Sequence, residues 1–169
     1  SLAVAERALE AMVQVPSPPT AIDLQIGPAW QDDAAMTLVV RIEGTDLEVQ
    51  SMHVVLEQLL ADAAAERVRT LPANEADALL AQQVNFPQQP LGDDGAPLVV
   101  KISAVPSATT PSIAELLAVD PNCSLQVQAG SGMIYARFSQ FDPADLGTIL
   151  VGRLQPAVRR HEGALTVLA

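Results

Sequence analysis

Two stretches of alternating residues leave this chain little conformational choice. In MTLVVRIE (36–43), Met36, Leu38, Val40 and Ile42 fall on one side, and Thr37, Val39, Arg41 and Glu43 on the other. In LVVKISAV (98–105), Leu98, Val100, Ile102 and Ala104 share one side, and Val99, Lys101, Ser103 and Val105 share the other. Alternation with a period of two fits a strand that rests one face on a core. The pentapeptides 38–42 and 98–102 differ only in Arg41 against Lys101. Each is followed by a turn and a helix signal. Gly44 ends the first strand, and Thr45 with Glu48 forms a capping-box pattern. Val49, Met52, Leu56, Leu59 and Ala63 then make one apolar stripe, which predicts a helix ending near Val68. After the second strand, Thr110 as cap and Pro111 as first helical residue predict a helix to about Val119.

The remaining segments fill in around these. Residues 3–14 repeat apolar positions at helical spacing and predict a short amphipathic helix. VPSPPT (15–20) cannot continue it and reads as a connector. AIDLQIG (21–27) is a shorter apolar segment, followed by Pro28 and Trp30. Residues 68–71 fit a short strand, and 73–85 a second, weaker helix around Leu79 and Leu80. Residues 86–97 carry prolines and glycines and read as an exposed loop. Two alternating runs flank Gly130-Ser131-Gly132 within 124–138, a hairpin pattern. Asp142-Pro143 opens a last helix through Leu146, Leu150 and Leu154, with Pro156 set to kink or shorten it. Gly163 stops that helix, and 164–169 reads as a final strand.

This order predicts an α+β fold. It is a ferredoxin-like antiparallel sheet with helices on one face, built from two β-α-β halves. Residues 1–30 are expected as a lead-in helix and Pro-rich connector, and 31–169 as the ferredoxin-like domain.

Charge narrows the partners. With 9 basic against 20 acidic residues the net charge is −11, which argues against nucleic acid and against an anionic membrane surface. No apolar run approaches the ~18 residues of a membrane span. Glu6, Arg7 and Glu10 within a helical pattern do not fit a signal peptide. One cysteine, Cys123, and two histidines, His53 and His161, exclude an internal disulfide, a thiolate cage and a multi-histidine metal centre. Each of the three has a plain structural role open to it. His53 lies off its helix stripe and reads as an exposed helix histidine. His161 suits the C-terminal end of a helix, and Cys123 follows a turn as an idle thiol.

The face turned away from the helices is the informative one. It is expected to carry Thr37, Arg41, Lys101, Ser103, Tyr135 and Arg137, with Ser124, Gln126 and Gln128 on the polar side of their own strand. Three of the nine basic residues of an acidic protein thus fall on one sheet face. Cations and amides gathered on a sheet suit an anionic ligand, or a partner domain that brings one. A hydrated face whose charges do nothing specific is the other reading. Tyr135 and Arg137 stand out, because arginine grips a carboxylate with two hydrogen bonds.

Several stretches carry a resemblance: AERALEAMVQVPSPPTAIDL (5–24), LVVRIEGTDLEVQ (38–50), LVVKISAVPS (98–107), AGSGMIYARF (129–138) and EGALTVLA (162–169). Together they resemble the C-terminal cap, or substrate, domain of FAD-linked oxidases of the vanillyl-alcohol-oxidase type. The pattern is most similar to an FAD-binding component of the bacterial glycolate oxidases, in which Lys101 and Ser103 fall at a basic residue and a serine. The resemblance implies a piece of a larger flavoprotein whose upstream domain holds FAD. The cap would close over the flavin during oxidation of a small 2-hydroxy acid such as glycolate or lactate. It implies other oxidase subunits as partners and a cytoplasmic place, peripheral to the inner membrane face through them. The Gly- and His-rich metal motif of related caps is missing here, as is a flavin-phosphate loop. No catalytic acid or base carries over by name. The substrate- or flavin-facing candidates are Arg41, Lys101, Ser103, Gln126, Gln128, Tyr135 and Arg137. The alternative from another class is a stand-alone ferredoxin-like module that binds a small anion or dimerises for regulation.

Overall fold

A computed structural model of the chain describes residues 1–30, 35–88, 98–139 and 143–168. It contains six strands in one antiparallel sheet: β1 (Ala21–Ile26), β2 (Met36–Arg41), β3 (Val99–Ser103), β4 (Ser124–Gln128), β5 (Met133–Arg137) and β6 (Ala164–Val167). Their order across the sheet is β2-β1-β4-β5-β3-β6. The helices are α1 (Leu2–Val13), α2 (Asp46–Asp62), α3 (Ala73–Asn85), α4 (Thr109–Val119), and a π-helical segment, Gly147–Leu154, that runs into α5 (Gln155–Arg159). Among the described residues no helix is long and apolar enough to cross a membrane.

The second half of the chain is a β-α-β-β-α-β unit. Its strands lie in the order β6-β3-β5-β4, the ferredoxin-like arrangement. One half is β3-α4-β4, with β5 lodged between its strands. The other is β5-helix-β6, with β3 lodged between. Both halves therefore lie in the second half of the chain: the pentapeptide 98–102 opens the first of them in β3, and the pentapeptide 38–42 belongs to neither. The strand at 38–42 belongs to a hairpin that extends the sheet: β1 pairs with β2, and β1 also pairs with β4. β2 is an edge strand, half-buried, while β3 is interior. The stretch 1–30, expected as lead-in and connector, supplies α1 and the interior strand β1.

The alternation read from the sequence decides which face is dry. Leu24, Ile26, Val100, Ile102, Leu125, Val127, Ile134 and Ala136 point to one side and are buried. They meet Ile113 and Leu116 of α4, Leu150 and Leu154 of the π segment, and Val158 of α5. Each such aliphatic side chain withdraws from water with a gain of about 1.5–3 kcal/mol. Ala5 of α1 joins the same core. α2 lies against α1, and Arg7 Nη2 donates to the carbonyl of Ala63 at its end (3.2 Å).

Several boundaries differ from expectation for local reasons. α2 stops at Asp62 because Ala64 adopts a left-handed φ of +64°. Ala65 N–H then reaches back to Leu60 O (3.0 Å) and Ala64 N–H to Ala61 O (2.9 Å), a Schellman closure. Residues 68–71 are coil, not a strand. Thr70 Oγ1 ties this stretch to His53 Nε2 of α2 (2.9 Å), whose Nδ1 lies 3.6 Å from Glu57 Oε2. The segment expected as an exposed loop from residue 86 begins with a 3-10 turn, Phe86–Gln88, whose Phe86 is buried; residues 89–97 lie outside the described residues. α4 starts at Thr109, after a 3-10 turn at Pro106–Ala108, so Thr110 is already helical and does not cap. Pro111 is tolerated there because first-turn N–H groups have no helical partner anyway. Asp142 lies outside the described residues. The π-to-α change occurs at Leu154–Gln155, beside Pro156, which has no N–H to offer either hydrogen-bond register. The hairpin turn needs its glycine. Gly132 sits at φ +68°, and a Cβ there would lie 1.9 Å from Ala104 O.

Candidate functional site

The register places the side chains of the face turned away from the core in rows. One row crosses the whole sheet: Thr37, Gln25, Gln126, Tyr135, Lys101 and Thr166 are successive cross-strand partners. Every member is polar, and with strands roughly 4.8 Å apart the row runs roughly 24 Å. The neighbouring row is Val39, Asp23, Gln128, Met133, Ser103 and Ala164. A third, shorter row holds Ser124, Arg137 and Val99.

Lys101 and Tyr135 stand opposite each other as the fifth and fourth members of the six in the long row. They are the only lysine and the only tyrosine of the chain. Lys101 Nζ lies over the Tyr135 ring, 5.9 Å from its centre, within the range of a cation–π attraction. Both side chains are half-exposed. Next to Tyr135, Gln126 and then Gln25 are almost fully buried, at 3% and 4% exposure. Gln25 Nε2 and Gln126 Oε1 have no hydrogen-bond partner. Each such buried polar atom costs about 1–3 kcal/mol. Their burial keeps these amides out of reach from solvent, so the accessible polar groups at this point of the row are those of Lys101 and Tyr135.

Arg137 is on the same face, but it is not a free carboxylate clamp. It is buried, its Nη1 donates to Phe86 O (3.3 Å), and its guanidinium lies 5.4 Å from the centre of the Phe86 ring. Phe86, at the end of α3, in turn stacks on Trp30, with centres 4.6 Å apart and planes 14° from parallel. Trp30 Nε1 donates to Leu125 O (2.8 Å), and Ala29 N–H to Ser124 Oγ (3.0 Å). This latch covers one end of the face, so the predicted Tyr135–Arg137 pair is split. Tyr135 is half-exposed beside Lys101 in the long row, while Arg137 is buried in the short one. Burial also lowers the Arg137 pKa from its ordinary value.

The other predicted residues divide similarly. Gln126 is in the long row with Lys101 and Tyr135, while Ser103 and Gln128 are one row away. Arg41 is on this face at the far corner of edge strand β2, exposed and paired with Glu43. The face thus brings Lys101, Tyr135, Gln126, Gln128 and Ser103 together, and leaves Arg41 and Arg137 out.

Three residues of this face escape a reading of the sequence: Asp23, Gln25 and Thr166. The signal for the first two is present, since AIDLQI alternates Ile22, Leu24 and Ile26 with Asp23 and Gln25. Asp23 is half-buried, and burial raises its carboxyl above the ordinary range, with Arg41 pulling less strongly the other way. Cys123 is fully buried, and burial together with Asp120 raises its thiol, an inert position.

Chemically, the half-exposed part of this face offers an ammonium and a phenol side by side. Such a set can neutralise a small carboxylate and hydrogen-bond an adjacent hydroxyl. No protein-family model, curated protein or solved structure matches the chain.

Proposed function

We propose that this chain is the cap domain of a FAD-linked oxidoreductase that oxidises a small 2-hydroxy acid such as glycolate or lactate. An upstream domain of the same polypeptide would hold the FAD. The polar sheet face would close over it, with Lys101 and Tyr135 facing the substrate carboxylate. The flavin supplies the two-electron chemistry when bound, while this chain's residues orient substrate and exclude water. The observation that carries the reading is the all-polar row from Thr37 to Thr166, which holds the single lysine of an acidic protein beside its single tyrosine. Within that row Lys101 and Tyr135 are the half-exposed pair that a substrate would meet. Association with other oxidase subunits at the inner face of the membrane belongs to the same reading.

The test is the polypeptide extended into its upstream reading frame. That longer protein is expected to be yellow, to carry FAD and to bleach under glycolate or lactate, while the 169-residue chain is colourless. A longer protein without flavin overturns the reading. Uptake of glycolate by the colourless chain alone that is lost in Lys101→Ala, with no flavin partner, favours a stand-alone small-anion-binding module.

A further inference from the structure

The opposite side of the molecule holds a second feature, independent of the flavin reading. A cavity of about 50 Å³ lies between α4 and α5, over the helix-bearing side of the sheet. Ile102, Leu154 and Val158 give it an apolar floor, and Ser112, Glu115 and Arg160 line it with polar groups.

Ser112 is the unusual member. It is 5% exposed, and its hydroxyl has no partner. A helix hydroxyl ordinarily turns onto the carbonyl three or four residues earlier. Thr109, one turn before, does this with Pro106 O at 2.6 Å, and Ser112 does not. A buried hydroxyl left without a partner calls for an occupant that supplies one.

Charge selects the kind of occupant. Glu115 lies 3.7 Å from both Arg153 Nε and Arg160 Nη2, too far for direct hydrogen bonds. Two guanidiniums share this one carboxylate, so Arg160, which lines the cavity, is not fully engaged by Glu115 and can take a second anionic partner. Each water needs roughly 10–15 Å³ of such space, so the cavity takes a ligand of roughly four heavy atoms. A small anion with an apolar end satisfies all three constraints.

We infer that this cavity binds a monocarboxylate of acetate size. One carboxylate oxygen accepts from Ser112 Oγ, the other from the Arg160 guanidinium, and the methyl group rests on Ile102, Leu154 and Val158.

Thermal unfolding of the chain in sodium acetate, against sodium chloride at matched ionic strength, tests this. Wild type is expected to gain several degrees in acetate. Ser112→Ala is expected to fold at least as stably, because alanine suits a helix and removes the unmet hydroxyl, and to lose the acetate gain. Arg160→Gln should lose it as well. Equal melting of wild type in both salts overturns the inference and leaves the cavity to water. An acetate gain that survives Ser112→Ala also overturns it.

Discussion

At the scale of single residues, Asp23 is the most informative position. Its carboxyl binds a proton more tightly in the folded chain than in the unfolded one, because burial disfavours the charge. The folded state therefore gains from protonated Asp23 below the ordinary carboxylate range and loses that contribution as pH rises through the raised value. Asp23→Asn keeps the shape without the charge. It is expected to raise the melting temperature near neutral pH and to change it little in acid. Melting curves of both proteins at the two pH values check this, and an Asn variant less stable near neutral pH contradicts it. The residue scale is also where the sequence is least legible. Alternation gives Arg137 its face but not its neighbours, so from sequence it reads as an available clamp. Phe86, 51 positions away in sequence, covers it, and no local pattern announces that contact. Gln126 reads correctly as a polar face residue, but its near-complete burial follows only from the assembled sheet.

At the scale of elements, periodicity is a good guide and boundaries are not. The stretches 36–43, 98–105, 124–138 and 164–169 all contain strands, because alternation is a property of the local chain. The capping box at Thr45 forms as its pattern predicts: Glu48 N–H donates to Thr45 Oγ1, and Thr45 N–H to Glu48 Oε2 (2.8 Å). The end of the same helix is hidden, because Ala64 gives no hint of the left-handed conformation that Gly or Asn would advertise. That mismatch yields a direct prediction. An alanine with φ +64° carries a steric penalty that glycine avoids. Ala64→Gly is expected to stabilise the chain by about 1 kcal/mol, read as a higher urea midpoint with an unchanged slope. A lower midpoint would mean that the Schellman closure is not what ends α2. The first strand, 21–26, looks from sequence like no more than a short apolar segment, although its alternation is as clean as that of β2. Its place inside the sheet depends on pairing with β4, about a hundred residues later in the chain.

At the scale of the whole molecule, one sheet separates two environments. The aliphatic core and the helices that close it occupy one side, and a polar row with the chain's single lysine crosses the other. The near-identical pentapeptides suggest a duplication beginning at residue 38, and the topology puts both β-α-β halves after residue 98 instead. Local sequence reports the strands, while strand order is settled by long-range pairing that no window contains. The central claim is that the half-exposed Lys101–Tyr135 part of this face is the wall a substrate meets. The most direct measurement is the steady-state kinetics of the flavin-bearing polypeptide with Lys101→Ala. The expected result is a fall of about tenfold or more in kcat/KM for glycolate or lactate, equivalent to roughly 1.4 kcal/mol of lost transition-state stabilisation, with flavin content and melting temperature unchanged. Kinetics indistinguishable from the parent enzyme would contradict the claim.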